Sequence, residues 1–114
     1  MIMMDEKIEL KLEDTLAIVL AKVYLQIPWS KIGVKSAHKF FIDRIRASSN
    51  AKNFKEFLDV LTRKVSVTFV RIDSDQIDLL NNYNSFTMSL IRKESLYVTN
   101  YALEKAEELK RKGE

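Results

Sequence analysis

The stretch Leu-Ala-Ile-Val-Leu-Ala-Lys-Val-Tyr-Leu-Gln-Ile, residues 16–27, decides the fold of this chain. Its apolar side chains cover nearly the whole circumference of a helical wheel, which is typical of a helix that is buried on almost all sides. Pro28 follows directly and predicts the end of that helix. We therefore expect residues 16–27 to form the buried centre of the domain.

The remainder of the chain favours helices joined by short connections. Two Gly and one Pro among 114 residues are too few for a sheet protein with many tight turns. Periodic apolar residues predict helices over about 34–47, from the Asn53 cap onward, and over about 73–112 with a break near Ser95. The sequence thus predicts mostly α structure: a compact bundle of four to five helices in a single domain, residues 1–114.

Two segments depart from the helical pattern and predict a small two-stranded ribbon. Residues 7–12 alternate polar and apolar side chains, and residues 65–72 are rich in β-branched ones. Since one strand cannot stand alone, we expect the two segments to pair at one side of the helical domain. The central helix would then begin near Glu13 and Asp14. The alternative for the second segment is a third helix that continues through Val70.

The middle of the chain is strongly basic. Residues 31–71 contain ten of the nineteen Lys and Arg residues but three acidic ones, so this segment carries a net charge of +7, whereas each flanking segment carries −2. A neutral solvated surface would mix both signs of charge. A basic surface of this kind on a small domain indicates nucleic acid as the commonest partner.

Basic residues of the predicted 34–47 helix define the candidate interface. Lys35, Lys39 and Arg46 fall on one side of the helical wheel over roughly 16 Å, which is long enough to reach several phosphates. Arg44 points instead toward the apolar side, next to Asp43, where we expect a structural hydrogen bond or an interface ion pair. The predicted nucleic-acid-binding residues are Lys35, Lys39, Arg46, Lys52, Lys55, Arg63, Lys64 and Arg71. Because phosphate contacts carry no base information, binding should be independent of sequence.

Residue types that carry catalysis or metal binding are scarce. The absence of Cys excludes thiolate nucleophiles, thiolate metal sites and disulfides. His38 is the single histidine. Asp73, Asp75 and Asp78 lack the Gly and the distant Glu of a calcium-binding loop, so helix capping explains them. We expect no enzyme: no catalytic residue, no metal site, no cofactor and no small-molecule substrate.

Several features of the sequence indicate a cytoplasmic protein without a membrane partner. The most apolar stretch, residues 16–27, contains Lys22 and is shorter than the ~20 residues that a membrane-spanning helix needs. The first residues lack the basic region of a signal peptide. A composition rich in Lys and Glu and free of Cys also favours a thermophilic source.

The stretch Phe-Phe-Ile-Asp-Arg-Ile-Arg-Ala-Ser, residues 40–48, resembles the small subunit of archaeal type I-A CRISPR Cascade complexes. That family is similar to this chain in length, helical content and basic balance, and residues 53–63 are similar to its second amphipathic helix. Small helical subunits of type III CRISPR complexes are a close alternative. The resemblance implies an architectural, non-catalytic role in antiviral defence: contacts with the backbones of guide RNA, target DNA and displaced strand, with other subunits of the complex, and with copies of itself.

Two other functions remain open. A sequence-specific transcriptional regulator would use a helix-turn-helix-like element around residues 16–47, although Pro28 and Trp29 fit poorly into the first helix of that motif. An adaptor would use the same basic surface to bind an acidic protein. Sequence-selective DNA binding distinguishes the first of these from a phosphate-binding subunit, and competition by heparin but not by nucleic acid distinguishes the second.

Overall fold

In a computed structural model, which describes residues 5–68 and 71–113, the chain forms seven helices and no strand within those ranges. They are α1 (Glu6–Gln26), α2 (Trp29–Ile32), α3 (Ala37–Ser48), α4 (Phe54–Lys64), α5 (Ser74–Asn82), α6 (Asn84–Lys93) and α7 (Ser95–Arg111). The prediction of a mostly α fold is confirmed, whereas the predicted number of helices is too small. The additional elements are the single turn α2 and a break at Tyr83, which divides the helix predicted after Asp73. The predicted break near Ser95 is confirmed.

Helix α1 is longer at its N-terminus than the sequence predicted. The Asp5 carboxylate accepts a hydrogen bond from the Lys7 backbone N–H at 2.9 Å and so caps the helix well ahead of Glu13. At the other end, Ile27 is extended and Pro28 follows, as predicted. Most apolar residues of the predicted central stretch are buried, including Leu16, Val19, Leu20 and Val23, which confirms its place in the core.

Residues 7–12, predicted as a strand, form the first turns of α1, and the ribbon prediction is wrong here. Ile8 and Leu12, four positions apart, both pack on the hydrophobic core, while Leu10 is exposed to solvent. Two residues four apart on a helix lie on the same face. The alternating apolar residues that indicated a strand are therefore two residues of a buried helix face, Ile8 and Leu12, and one exposed residue, Leu10.

The described part of residues 65–72 is not a strand either, because a tight turn follows α4. The Val67 N–H donates to the Thr62 carbonyl at 2.9 Å, and Ser66 adopts the left-handed conformation at φ 60°. This arrangement is a Schellman motif with Ser in the position that usually holds Gly. It also contradicts a third helix that continues without interruption beyond residue 64. Residues 69 and 70 of the predicted strand lie outside the described residues.

Helix α1 lies at the centre and packs against α5, α6 and α7, while α3 packs against α4, α6 and α7. Helices α1 and α7 run parallel, since Glu13 lies beside Tyr97 near their N-terminal ends and Lys22 beside Leu109 near their C-terminal ends. One hydrophobic core joins the helices. Its largest fully buried side chains include Phe41, Phe54, Phe57, Leu12, Leu16, Leu20, Ile45 and Leu61. Among the described residues, no helix combines the length and hydropathy that crossing a membrane requires.

Candidate nucleic-acid interface

The three basic residues predicted to share one face of a helix do not form a common stripe. Ser36 accepts a hydrogen bond from the Lys39 N–H, so α3 begins at Ala37 and Lys35 lies in the loop before it. Lys39 forms an ion pair with Asp43 at 3.1 Å, and Arg46 donates from Nε to the Ser95 hydroxyl at 3.0 Å. The prediction of one helical face is therefore wrong for Lys35, which lies outside α3, whereas Lys39 and Arg46 are seven positions apart on α3 and share a face.

Two other polar residues of α3 make contacts within the protein. The Arg44 guanidinium lies over the Phe40 ring, 4.6 Å from its centroid, in a cation–π contact. The contact is structural, but it is a cation–π contact, whereas a hydrogen bond or an interface ion pair was predicted for Arg44. The His38 ring is exposed, and its Nε2 lies 2.8 Å from the Asn100 side-chain oxygen on α7.

Lys52 and Lys55 are exposed at the connection between α3 and α4, which two residues from α6 hold in place. The Arg92 guanidinium donates to the carbonyls of Ser49 and Ala51, at 2.8 and 2.7 Å. The Asn84 side chain accepts from the Phe54 N–H at 2.7 Å and donates to the Lys52 carbonyl at 3.2 Å. Arg92 is a cation outside the eight predicted residues, but its guanidinium is engaged in capping the carbonyl end of α3.

A group of cationic side chains from several elements lies where α1 ends. Four surface grooves adjoin one another there, because neighbouring grooves have lining residues in common. Gln26 lines two of the grooves, Leu25 lines one of these two and a third groove, and residues 66–68 line the other of the two and the fourth groove. Six cationic side chains and one carboxylate, Asp59, line these grooves, and a second carboxylate, Glu107, pairs with Lys110 at 4.0 Å. We call the six the basic end; they are Lys22, Lys31, Lys35, Arg63, Arg71 and Lys110.

Aromatic side chains form the wall of one groove of the basic end. Tyr24 and Trp29 lie beside Lys35 and Lys110, with the two ring centroids 5.1 Å apart. The Trp29 indole N–H donates to the Tyr24 carbonyl at 3.2 Å, which fixes the ring in place. Burial, and after it the Glu107 carboxylate, raises the pKa of the Tyr24 hydroxyl. These rings are half-buried and belong to the wall of the groove.

Tertiary packing thus places the eight predicted nucleic-acid-binding residues in different parts of the surface. Lys35, Arg63 and Arg71 belong to the basic end, whereas Arg46, Lys52 and Lys55 lie at or near the α3–α4 connection. Lys64 is exposed in the last turn of α4, and Lys39 is paired with Asp43.

Three cations of the basic end were not nominated: Lys22, Lys31 and Lys110. Lys31 was already part of the basic segment of the sequence. Lys22 is the one charged residue in the apolar stretch of α1. A single charged residue in such a stretch is a sequence signal that could have identified Lys22 as a member of the basic end. Lys110 lies far away in the sequence, and the parallel packing of α7 on α1 brings it to the basic end.

Several residues with shifted pKa values lie toward the other end of the α1–α7 pair. The Glu13 carboxylate beside the Tyr97 hydroxyl, followed by burial, raises the pKa of that hydroxyl to about 12. Asp14 accepts from the Tyr101 hydroxyl at 2.8 Å and pairs with Lys105 at 3.0 Å. These contacts join α1 to α7 and are structural.

The described residues contain no group of three His, Cys, Asp or Glu side chains that would hold a metal ion. Asp73 accepts a hydrogen bond from the Asp75 N–H at 2.9 Å and caps α5, as the sequence predicted. Comparison with known proteins finds no matching family model, no similar curated protein and no similar solved structure.

Proposed function

We propose that this protein is a non-catalytic nucleic-acid-binding protein that contacts phosphates through the basic end. The observation that carries the proposal is the placement of six cations against two carboxylates, Asp59 and Glu107, around four adjoining grooves. Electrostatic attraction to a polyanion grows with the number of phosphates that such a surface neutralises.

The geometry favours binding that does not depend on base sequence. The cations of the basic end come from loops and from four different helices, so no single helix presents them as a reading element. Lys side chains are flexible point charges, which suit phosphates better than base edges. We therefore assign the partner as a nucleic-acid backbone.

A sequence-specific regulator receives less support from the same contacts. A recognition helix needs several exposed polar side chains free to reach bases. On α3, Lys39 is paired with Asp43, and Arg46 and His38 are hydrogen-bonded to α7. The first helix of the predicted motif is followed by a single turn, α2, and Gly33 at φ 67°.

The narrower proposal is that the protein acts in the cytoplasm as a small subunit of an archaeal CRISPR surveillance complex, together with guide RNA, target DNA, other subunits and copies of itself. The resemblance of residues 40–48 supports this assignment. In the structure all of those residues belong to α3, where Phe41, Ile42 and Ile45 are buried, so the resembling stretch contributes to packing. CRISPR-associated genes beside this gene, and guide RNA bound to a tagged copy purified from its own cells, would test the assignment.

The basic end is tested by a matched pair of charge reversals. Lys31→Glu/Arg71→Glu alters two cations of the basic end, and Lys7→Glu/Lys11→Glu alters two exposed lysines of the first turns of α1. Both variants change the net charge equally. Trp29, the single Trp, lines a groove of the basic end and reports binding by fluorescence.

We expect Lys31→Glu/Arg71→Glu to weaken binding of a random single strand about tenfold at low salt, and to reduce the slope of log Kd against log salt by about 1.4. The Lys7→Glu/Lys11→Glu control should stay within about twofold of the natural protein. Equal losses in both variants would show that net charge, and not the basic end, governs binding. Unchanged affinity in the first variant would refute the proposal.

A further inference from the structure

A second surface lies between the N-terminal parts of α1 and α7. It is a groove of about 300 Å³, lined by Leu10, Glu13, Tyr97, Asn100, Tyr101 and Glu104, which we call the tyrosine groove. The side chains of Leu10 and Tyr97 are 60% and 47% exposed, and the neighbouring Leu96 is 51% exposed. These are three of the four large hydrophobic side chains that are exposed among the described residues. Their grouping on two adjacent helices indicates an interaction surface.

The charge of the tyrosine groove is negative. Glu13 and Glu104 line it, and neither forms an ion pair with a described residue. The Tyr97 and Tyr101 rings lie 6.1 Å apart and are tilted by 53°. Electron-rich ring faces beside carboxylates attract a cation that is partly removed from water.

The protein itself already uses this chemistry at the end of the groove. The Lys105 ammonium lies 5.6 Å from the centroid of the Tyr101 ring and pairs with the Asp14 carboxylate. Lys105 thus satisfies Asp14, while Tyr97, Glu13 and Glu104 have no corresponding cation among the described residues. A cation from a partner molecule would contact the Tyr97 ring and a neighbouring carboxylate, as Lys105 contacts the Tyr101 ring and the Asp14 carboxylate.

We propose that the tyrosine groove binds an arginine-bearing, partly apolar segment of a partner protein. A guanidinium stacks on a tyrosine ring and pairs with a carboxylate in two parallel hydrogen bonds, so it fits Tyr97 with Glu13 and Glu104 better than an ammonium does. An aliphatic neighbour of the arginine would cover Leu10. Binding here is independent of nucleic acid at the basic end.

The test uses the full-length protein labelled with ¹⁵N and a capped peptide, acetyl-Gly-Leu-Arg-Leu-Gly-amide. Matched peptides replace Arg with Lys, with neutral citrulline or with Glu. We expect the Arg peptide to shift the backbone resonances of Leu10, Tyr97 and Asn100, more strongly than the Lys peptide, and the Glu peptide to shift none. Glu13→Gln/Glu104→Gln should weaken the Arg peptide about fivefold, and Tyr97→Leu by a similar factor.

Lys31→Glu/Arg71→Glu serves as the control and should bind the Arg peptide as the natural protein does, so the outcome does not depend on the function of the basic end. Equal shifts with the citrulline peptide would overturn the assignment of a cation. Association of the protein with itself, lost in both Glu13→Gln/Glu104→Gln and Lys31→Glu/Arg71→Glu, would identify a second copy as the occupant and overturn the assignment of a separate partner.

Discussion

At the scale of single residues, one carboxylate joins the two longest helices. Burial of Asp14 would raise the pKa of its carboxyl, but hydrogen bonds from Tyr101 and Lys105, together with the ammonium charge, lower it below its usual 3.8. Hydrogen bonding to Asp14 in turn raises the pKa values of Tyr101 and Lys105. The stabilisation from Asp14 is therefore present above pH 3.8 and is lost as the pH falls through the lowered value. That from Lys105 is present below pH 10.5 and is lost as the pH rises through the raised value.

Replacing the tyrosine hydroxyl tests this network. Tyr101→Phe removes one hydrogen bond to the Asp14 carboxylate but keeps the ring beneath Lys105. We expect the pKa of Asp14 to rise, as measured by ¹³C NMR titration of its carboxyl carbon, and the free energy of unfolding at neutral pH to fall by about 1 kcal/mol. An unchanged pKa would show that Lys105 alone determines the charge state of Asp14.

At the scale of elements, the ends of the helices are determined by a few polar contacts. Asn53 accepts from the Glu56 N–H at 2.9 Å and begins α4, while the Glu56 carboxylate accepts from the Lys52 N–H at 2.8 Å. At the other end of α4, Ser66 occupies the left-handed position of the Schellman motif. A residue with a Cβ atom is disfavoured in that conformation, and Gly is not.

Ser66→Gly should therefore stabilise the protein. The substitution relieves the cost of φ 60° at a position that is exposed to solvent, and part of that gain is offset by the greater freedom of Gly in the unfolded chain. We expect the free energy of unfolding to increase by about 0.5–1 kcal/mol in urea titrations. Ser66→Ala is the control and should give no increase. A lower free energy of unfolding in the Gly variant would contradict the inference that Ser66 is strained at φ 60°.

At the scale of the whole molecule, α1 connects two surfaces of opposite character. Its N-terminal part borders the tyrosine groove with Glu13, and its C-terminal part borders the basic end with Lys22. Both surfaces rest on the same hydrophobic core, to which α1, α3, α4, α5, α6 and α7 all contribute. A core shared in this way predicts that the chain unfolds as one unit, which the prediction of a single domain also requires.

Cooperative unfolding is tested with two probes and one core variant. Trp29 fluorescence reports on the basic end, and far-ultraviolet circular dichroism reports on all helices. The two urea transitions should coincide. Leu20→Ala leaves a cavity in the fully buried centre of α1 and should lower the free energy of unfolding by about 2–5 kcal/mol, with the same shift in both probes. Transitions that separate would contradict a single cooperative unit.

Local sequence patterns predicted most of the helices correctly, but they failed for residues 7–12 and for the described part of residues 65–72, which were predicted as strands. The cap at Asn53, the stop at Pro28 and the break at Ser95 depend on neighbouring residues, so they were predicted correctly. The prediction of a strand for residues 7–12 was wrong because a stretch of so few positions fits both the helical and the strand periodicity. The Asp5 cap and the packing of Ile8 on the core stabilise a helix there.

Composition and periodicity alone establish a mostly α chain built around residues 16–27, with an excess of positive charge in its middle. Folding redistributes that charge: Lys39 is paired within α3, and Lys110, far along the chain, joins Lys35 at the same groove. The tyrosine groove likewise combines Glu13 with Tyr97, residues remote in sequence. The physical reason is that a helix wheel orders side chains along one helix, whereas a surface patch depends on which helices pack together, and burial of the shared core decides that packing.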